Sequence, residues 1–245
     1  MNEPDKSLDV LGIKPIGNAV ESVTTGVVTG ASAFLSRICL PAAEEFGLLL
    51  RDRVTTWRAH NAAAIANHAE KLLDPSAKQL PLHAHPRIVA GVIELGSWSD
   101  NEEVQQLWAG LLASACTQDG SDDSNLMFVD LLSKMTASQA RIFDYICKHS
   151  GKTVTPVGWL LATEFPMSLD DLKRVSGLTD LHRIDLELDH LRGLGILQPT
   201  GGFNNVLPEA EMSPSALALQ MYARCQGSTA DPVTFYEIKA PTPPL

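Results

Sequence analysis

Histidine, cysteine and aspartate are the residue types here that could carry chemistry, and their spacing decides how far each goes. His83-Ala-His85 lies in a loop between Pro81 and Pro86, while His60 and His68 stand eight residues apart on a long helical stretch. Neither spacing is the i, i+4 pair of a zinc-binding helix, and no HExxH sequence or cysteine pair supports them. Cys39, Cys116, Cys147 and Cys225 are widely dispersed. Three of them fall on apolar helical faces, where a free thiol behaves as a small hydrophobe. Cys147 and His149 lack the third group that would orient a base. Asp119, Asp122 and Asp123 form an acidic loop without the spaced oxygen ligands and terminal glutamate of a calcium loop. No phosphate-cradling glycine loop, dinucleotide fingerprint or nucleophile elbow occurs. The expectation is a protein without an enzymatic site, with no metal and no cofactor.

The chain that holds these residues is 245 residues long, enough for one large domain or two small ones with a buried core. Its 44% hydrophobic and 20% charged residues are ordinary globular values and exclude wholesale disorder. A formal net charge of −10 argues against non-specific nucleic-acid binding, which needs clustered lysine and arginine to displace counterions. With unpaired, dispersed cysteines and no signal peptide pattern, a cytoplasmic location is expected.

Apolar periodicity then sets the organisation. Residues 1–15 are polar and aperiodic, a flexible leader. Between residues 16 and 40, glycines mix with Val, Thr, Ser and Ala, and Ser22 to Ser36 carries no charge. Pro41 suits the first turn of a long helix running to Leu73, with Phe46, Leu50, Val54, Trp57, Asn61, Ile65 and Leu72 at helical steps. A short helix follows Pro86. Ser99 with Glu102 matches a capping box ahead of the stripe Val104, Leu107, Trp108, Leu111, Leu112 and Ala115. Phe128, Leu131, Leu132 and Met135 repeat the rhythm, as do Ile142, Phe143, Ile146 and Cys147. Thr136 with Gln139 and Ser168 with Asp171 give two more capping boxes.

After Thr136 the order changes. A helix over 137–149 precedes a strand near Thr153–Val157, a helix over Leu169–Ser176 that breaks at Gly177, and another over Leu181–Leu194. Gly195–Gln198 reads as a strand, Thr200–Asn205 as a turn, and Val206-Leu207 as its return. Ser213-Pro214 caps a last helix through Cys225, and Val233–Lys239 could add an edge strand. Helix, helix, turn, helix and a two-stranded wing is winged helix-turn-helix order. The fold class is therefore mainly α, an N-terminal helical domain with one long helix followed by a winged-helix-like domain. The boundaries are a leader 1–15, a helical domain 16–135, a winged-helix-like domain 136–227 and a proline-rich tail 228–245.

The wording of the central helices is distinctive. Ser99-Asp-Asn-Glu-Glu-Val-Gln-Gln-Leu-Trp-Ala-Gly-Leu-Leu-Ala113, Phe128-Val-Asp-Leu-Leu132 and Ala140-Arg-Ile-Phe-Asp144 resemble the abortive-infection alpha family of bacterial phage-defence proteins. Pro41–Arg58, with its Ala-Glu-Glu start and Trp-Arg end, is similar to that family's opening helix. The likeness spans about Leu40 to Asp144 and implies phage defence. It brings no catalytic residues.

Three functional readings remain. A protein-contact role, through a phage or host partner or a homo-oligomer, uses the long helix and the acidic winged helix. The helix after Gly177 carries Asp180, Asp185, Glu187 and Asp189 against Arg183 and Arg192, a balance that opposes DNA reading. A membrane reading, requiring activation, rests on Gly26 and Gly30, whose GxxxG spacing allows close helix approach, although the uncharged run is shorter than a bilayer span. The third is a winged-helix nucleic-acid regulator. Trp57, Leu107, Trp108 and Phe128 are the candidate core anchors.

Overall fold

The computed structural model describes residues 17–39, 41, 53–73, 81–203 and 209–238. The leader, the first part of the expected long helix and the last residues of the tail lie outside the described residues.

Helices dominate. α1 (Gly17–Ile38) buries Ala31, Phe34, Leu35 and Ile38 against α2 (Arg53–Leu72). The buried face of α2 is built of Ala59, Ala62, Ala63, Ala66 and Ala69 around Ile65. Such short side chains let neighbouring backbones approach, and α2 is flanked by α1 and by α4 (Glu102–Ser114). Between them in sequence, α3 (Pro86–Gly96) starts with Pro86 in its first turn and His85 as N-cap. α5 (Leu126–Ser133) packs on α3 and α4. α6 (Ala137–His149) opens on a complete capping box, Thr136 Oγ1 accepting from Gln139 N–H and Gln139 Oε1 from Thr136 N–H.

The C-terminal half adds two small antiparallel sheets. β1 (Lys152–Val154) pairs with β2 (Leu160–Ala162) as a hairpin whose Val157 and Trp159 stand exposed. β3 (Pro166–Ser168) runs directly into α7 (Leu169–Ser176), and Ser168 caps it. Gly177 closes α7 in the left-handed region at φ 72°, a conformation that suits glycine. α8 (Leu181–Gly193) then leads to β4 (Gly202–Phe203) and β5 (Glu209–Glu211). The sheet order is β3-β5-β4, both pairs antiparallel. α9 (Ala216–Cys225) and the short α10 (Pro232–Phe235) finish the described chain.

One buried apolar cluster runs from Ala31 in α1 to Cys225 in α9 and includes residues of both halves. Its tightest point is the crossing of α4 and α9. A Cβ on Gly110 would sit 1.7 Å from the Cys225 carbonyl oxygen, so glycine alone permits that approach. All four cysteines are buried. Burial pushes the Cys116 thiol up to about 12 and raises Cys147 and Cys225 strongly as well.

Several local expectations are corrected. Asn101, not Ser99, caps α4, its Oδ1 accepting from Val104 N–H at 3.0 Å. Ser99 is engaged elsewhere, its carbonyl accepting from Gln105 Nε2 at 2.8 Å. Ser215, not Ser213, caps α9. Gly195–Gln198 is a turn with one bridge, Leu197 to Pro214, rather than a strand. The residues 233–235 are helical within α10, because Asp231 caps a turn that opens on Pro232. Val206 and Leu207 lie outside the described residues.

Candidate functional site

Where α2 and α4 meet α6, α7 and α9, the packed helices leave a cleft of about 640 Å³, within the range of small-molecule pockets. Four cationic side chains line it: Lys71 from the end of α2, Arg141 and Lys148 from α6, and Arg174 from α7. Arg141 and Lys148 are seven residues apart, two helical turns, which puts them on one side of α6. Opposing them are two carboxylates, Glu103 and Asp144. The cleft is thus locally cationic in a chain of net charge −10.

Each side chain is held differently. Arg141 donates through Nη2 to the Ser176 carbonyl and to Ser138 Oγ at 3.2 Å, and its Nη1 is 3.9 Å from Glu103. Gly177 leaves room for this guanidinium, since a Cβ there would lie 3.1 Å from Arg141 Nη2. Arg174 pairs with Asp171 at 2.6 Å and stands 5.9 Å from the Tyr145 ring centre. Lys71 and Lys148 make no ion pair within 4.0 Å among the described residues. Deeper in, His68 Nδ1 is closed off from solvent and has no hydrogen-bond partner among the described residues. Burial raises the Asp144 carboxyl above its ordinary 3.8, outweighing the opposite pull of Lys148. Leu72, 47% exposed, adds an apolar wall.

The outer face of α8 is the second candidate. His182, Asp185, Leu186 and Asp189 are exposed, and their spacing places them on one side of the helix. Both arginines of α8 are tied within the fold. Arg183 pairs with the buried Glu187 at 2.6 Å, and Glu187 also accepts from Thr136 Oγ1 at 3.1 Å. Arg192 pairs with Asp189 and donates through Nη1 to the Gly201 carbonyl at 2.8 Å.

Comparison with known families matches residues 58–216 to abortive infection alpha. The chain belongs to the abortive infection alpha family. The match runs past Asp144, where the resemblance in the sequence fades, and takes in α7, α8 and the cleft's lining except Tyr222, Cys225 and Gln226. No curated protein and no solved structure matches the chain.

In this abortive infection alpha protein, Leu107, Trp108 and Phe128 are buried, with Trp108 packed against Gly96 at the end of α3. Trp57 differs, being 43% exposed at the start of α2. It stands one turn before the buried Asn61, and Trp98 is its aromatic neighbour at 6.5 Å. Gly26 and Gly30 both lie in α1. At Gly30 a Cβ would come within 3.3 Å of Asn67 Oδ1 on α2, so this glycine serves the contact between the two helices. Among the described residues, no helix is long and apolar enough to cross a membrane, and no group of three His, Cys, Asp or Glu could hold a metal. The cleft is the feature that reading along the chain misses, because its cations come from residues 71, 141, 148 and 174. The one available signal is the Arg141–Lys148 spacing beside the apolar stripe of α6.

Proposed function

We propose that this abortive-infection protein acts by protein contact, without an enzymatic step, and that the outer face of α8 meets the partner. The family supports the defence role. The observation that carries the contact reading is the state of the two α8 arginines. Each is neutralised by a carboxylate of its own helix, Asp189 being committed to Arg192, and the exposed groups left to a partner include His182, Asp185 and Leu186. A carboxylate beside an exposed leucine, with both arginines already answered, disfavours phosphate and suits a protein surface carrying a basic group.

The proposal includes a winged-helix reading of residues 137–225. Its support is the order α6, β3, α7, α8, β4, β5 with β5 as the central strand, the hairpin β1–β2 being an addition after the first helix. In this reading α8 stands where a DNA-binding relative would carry its reading helix, with that surface turned to protein recognition.

The test is phage plating on bacteria expressing the full chain or Leu186→Asp. Loss of a central contact should reduce protection about tenfold or more with unchanged thermal stability. Full protection by the variant overturns the α8 assignment. Salt-sensitive DNA binding by the unaltered protein overturns the protein-contact reading in favour of a nucleic-acid regulator.

A further inference from the structure

We infer that the cleft between the N-terminal helices and the C-terminal half is a binding site for a small, phosphate-bearing organic molecule. This does not depend on the α8 reading.

The charge arrangement is the first ground. Lys71, Arg141, Lys148 and Arg174 face Glu103 and Asp144, an excess of cations gathered in one concave place on an acidic protein. Arg141 is anchored by the Ser176 carbonyl and presents a fixed guanidinium group, whereas Asp171 neutralises Arg174. Lys71 and Lys148 have no carboxylate within ion-pair distance among the described residues. A fixed arginine with two uncommitted lysines suits a ligand bearing more than one negative charge, and a phosphate monoester carries about −1.5 to −2 near neutral pH.

Size is the second ground. A volume of about 640 Å³ exceeds what an inorganic anion fills, and Leu72, Leu107, Val175 and Tyr222 supply apolar walls for an organic body.

The test is calorimetric titration of the full chain with pyrophosphate at low salt, repeated with citrate and with Lys71→Gln/Lys148→Gln. Both lysines are exposed, so the double variant keeps the fold, and its melting temperature verifies this. Saturable pyrophosphate binding, weakened about tenfold in the double variant, is the expected result. No saturable binding, or equal binding by the variant, overturns the site. Tighter binding of citrate than of pyrophosphate overturns the phosphate assignment.

Discussion

The cleft and the outer face of α8 use the same residue types to opposite ends. On α8, Arg183 and Arg192 are answered by Glu187 and Asp189, one turn or less away on the same helix. In the cleft, Lys71 and Lys148 are set by separate helices toward a shared space, with no carboxylate at ion-pair distance among the described residues. Net charge therefore says little about what a given surface can bind. Which cations are already committed inside the fold says much more.

The comparison breaks most completely at Gly110. Replacing it with alanine forces α4 and α9 apart at a backbone contact, so a loss of about 4 kcal/mol or more is expected in denaturant unfolding. Because these two helices also wall the cleft, any residual folded protein should lose pyrophosphate binding while keeping the α8 surface. Glu187→Ala acts on the other side. It removes the carboxylate that accepts from Thr136 Oγ1 and from Arg183, for an expected cost of about 1–3 kcal/mol by the same measurement. If plating protection survives in the stable fraction, Glu187 is a support for α8 and not part of its contact face.

The smallest effect concerns Asp144. Burial raises its carboxyl pKa in the folded protein, so the folded state keeps a proton that the unfolded chain has released. Its contribution is therefore a stability that falls as pH rises from the ordinary 3.8 through the raised value. Asp119, Asp122 and Asp171 are lowered by hydrogen bonds and act in the opposite sense. Subtracting the Asp144→Asn profile from that of the unaltered protein isolates the one from the others. The variant should lose less stability than the original as pH is raised above the ordinary 3.8, and should bind pyrophosphate slightly more tightly. An identical pH profile would show that Asp144 is as well solvated in the fold as in the unfolded chain.

Local rules made much of the helical frame legible. The stripe through Leu107, Trp108, Leu111 and Leu112 marks α4, the Thr136–Gln139 pair marks the start of α6, and Gly177 marks the end of α7. Choices between equivalent local options were not legible. Ser99 and Asn101 are both cap-forming residue types two positions apart, and the structure uses Asn101, whose Oδ1 takes the Val104 N–H. β2 and β3 are only three residues each, too short for an alternating pattern to declare itself. Trp57 continues an apolar stripe that its neighbours stop covering. Beyond the Arg141–Lys148 spacing the cleft has no local signature, since its side chains come from five separate helices.

The four buried cysteines give this protein internal clocks. A thiol held out of solvent does not react with an alkylating reagent until its surroundings open. Cys39 follows α1, Cys116 follows α4, Cys147 lies in α6 and Cys225 ends α9, so the four report from different places in the shared core. Equal labelling rates would mean that the core opens as a single event. An early Cys39, with Cys147 and Cys225 slow and synchronous, would mean that the first helix can detach while the C-terminal half stays closed.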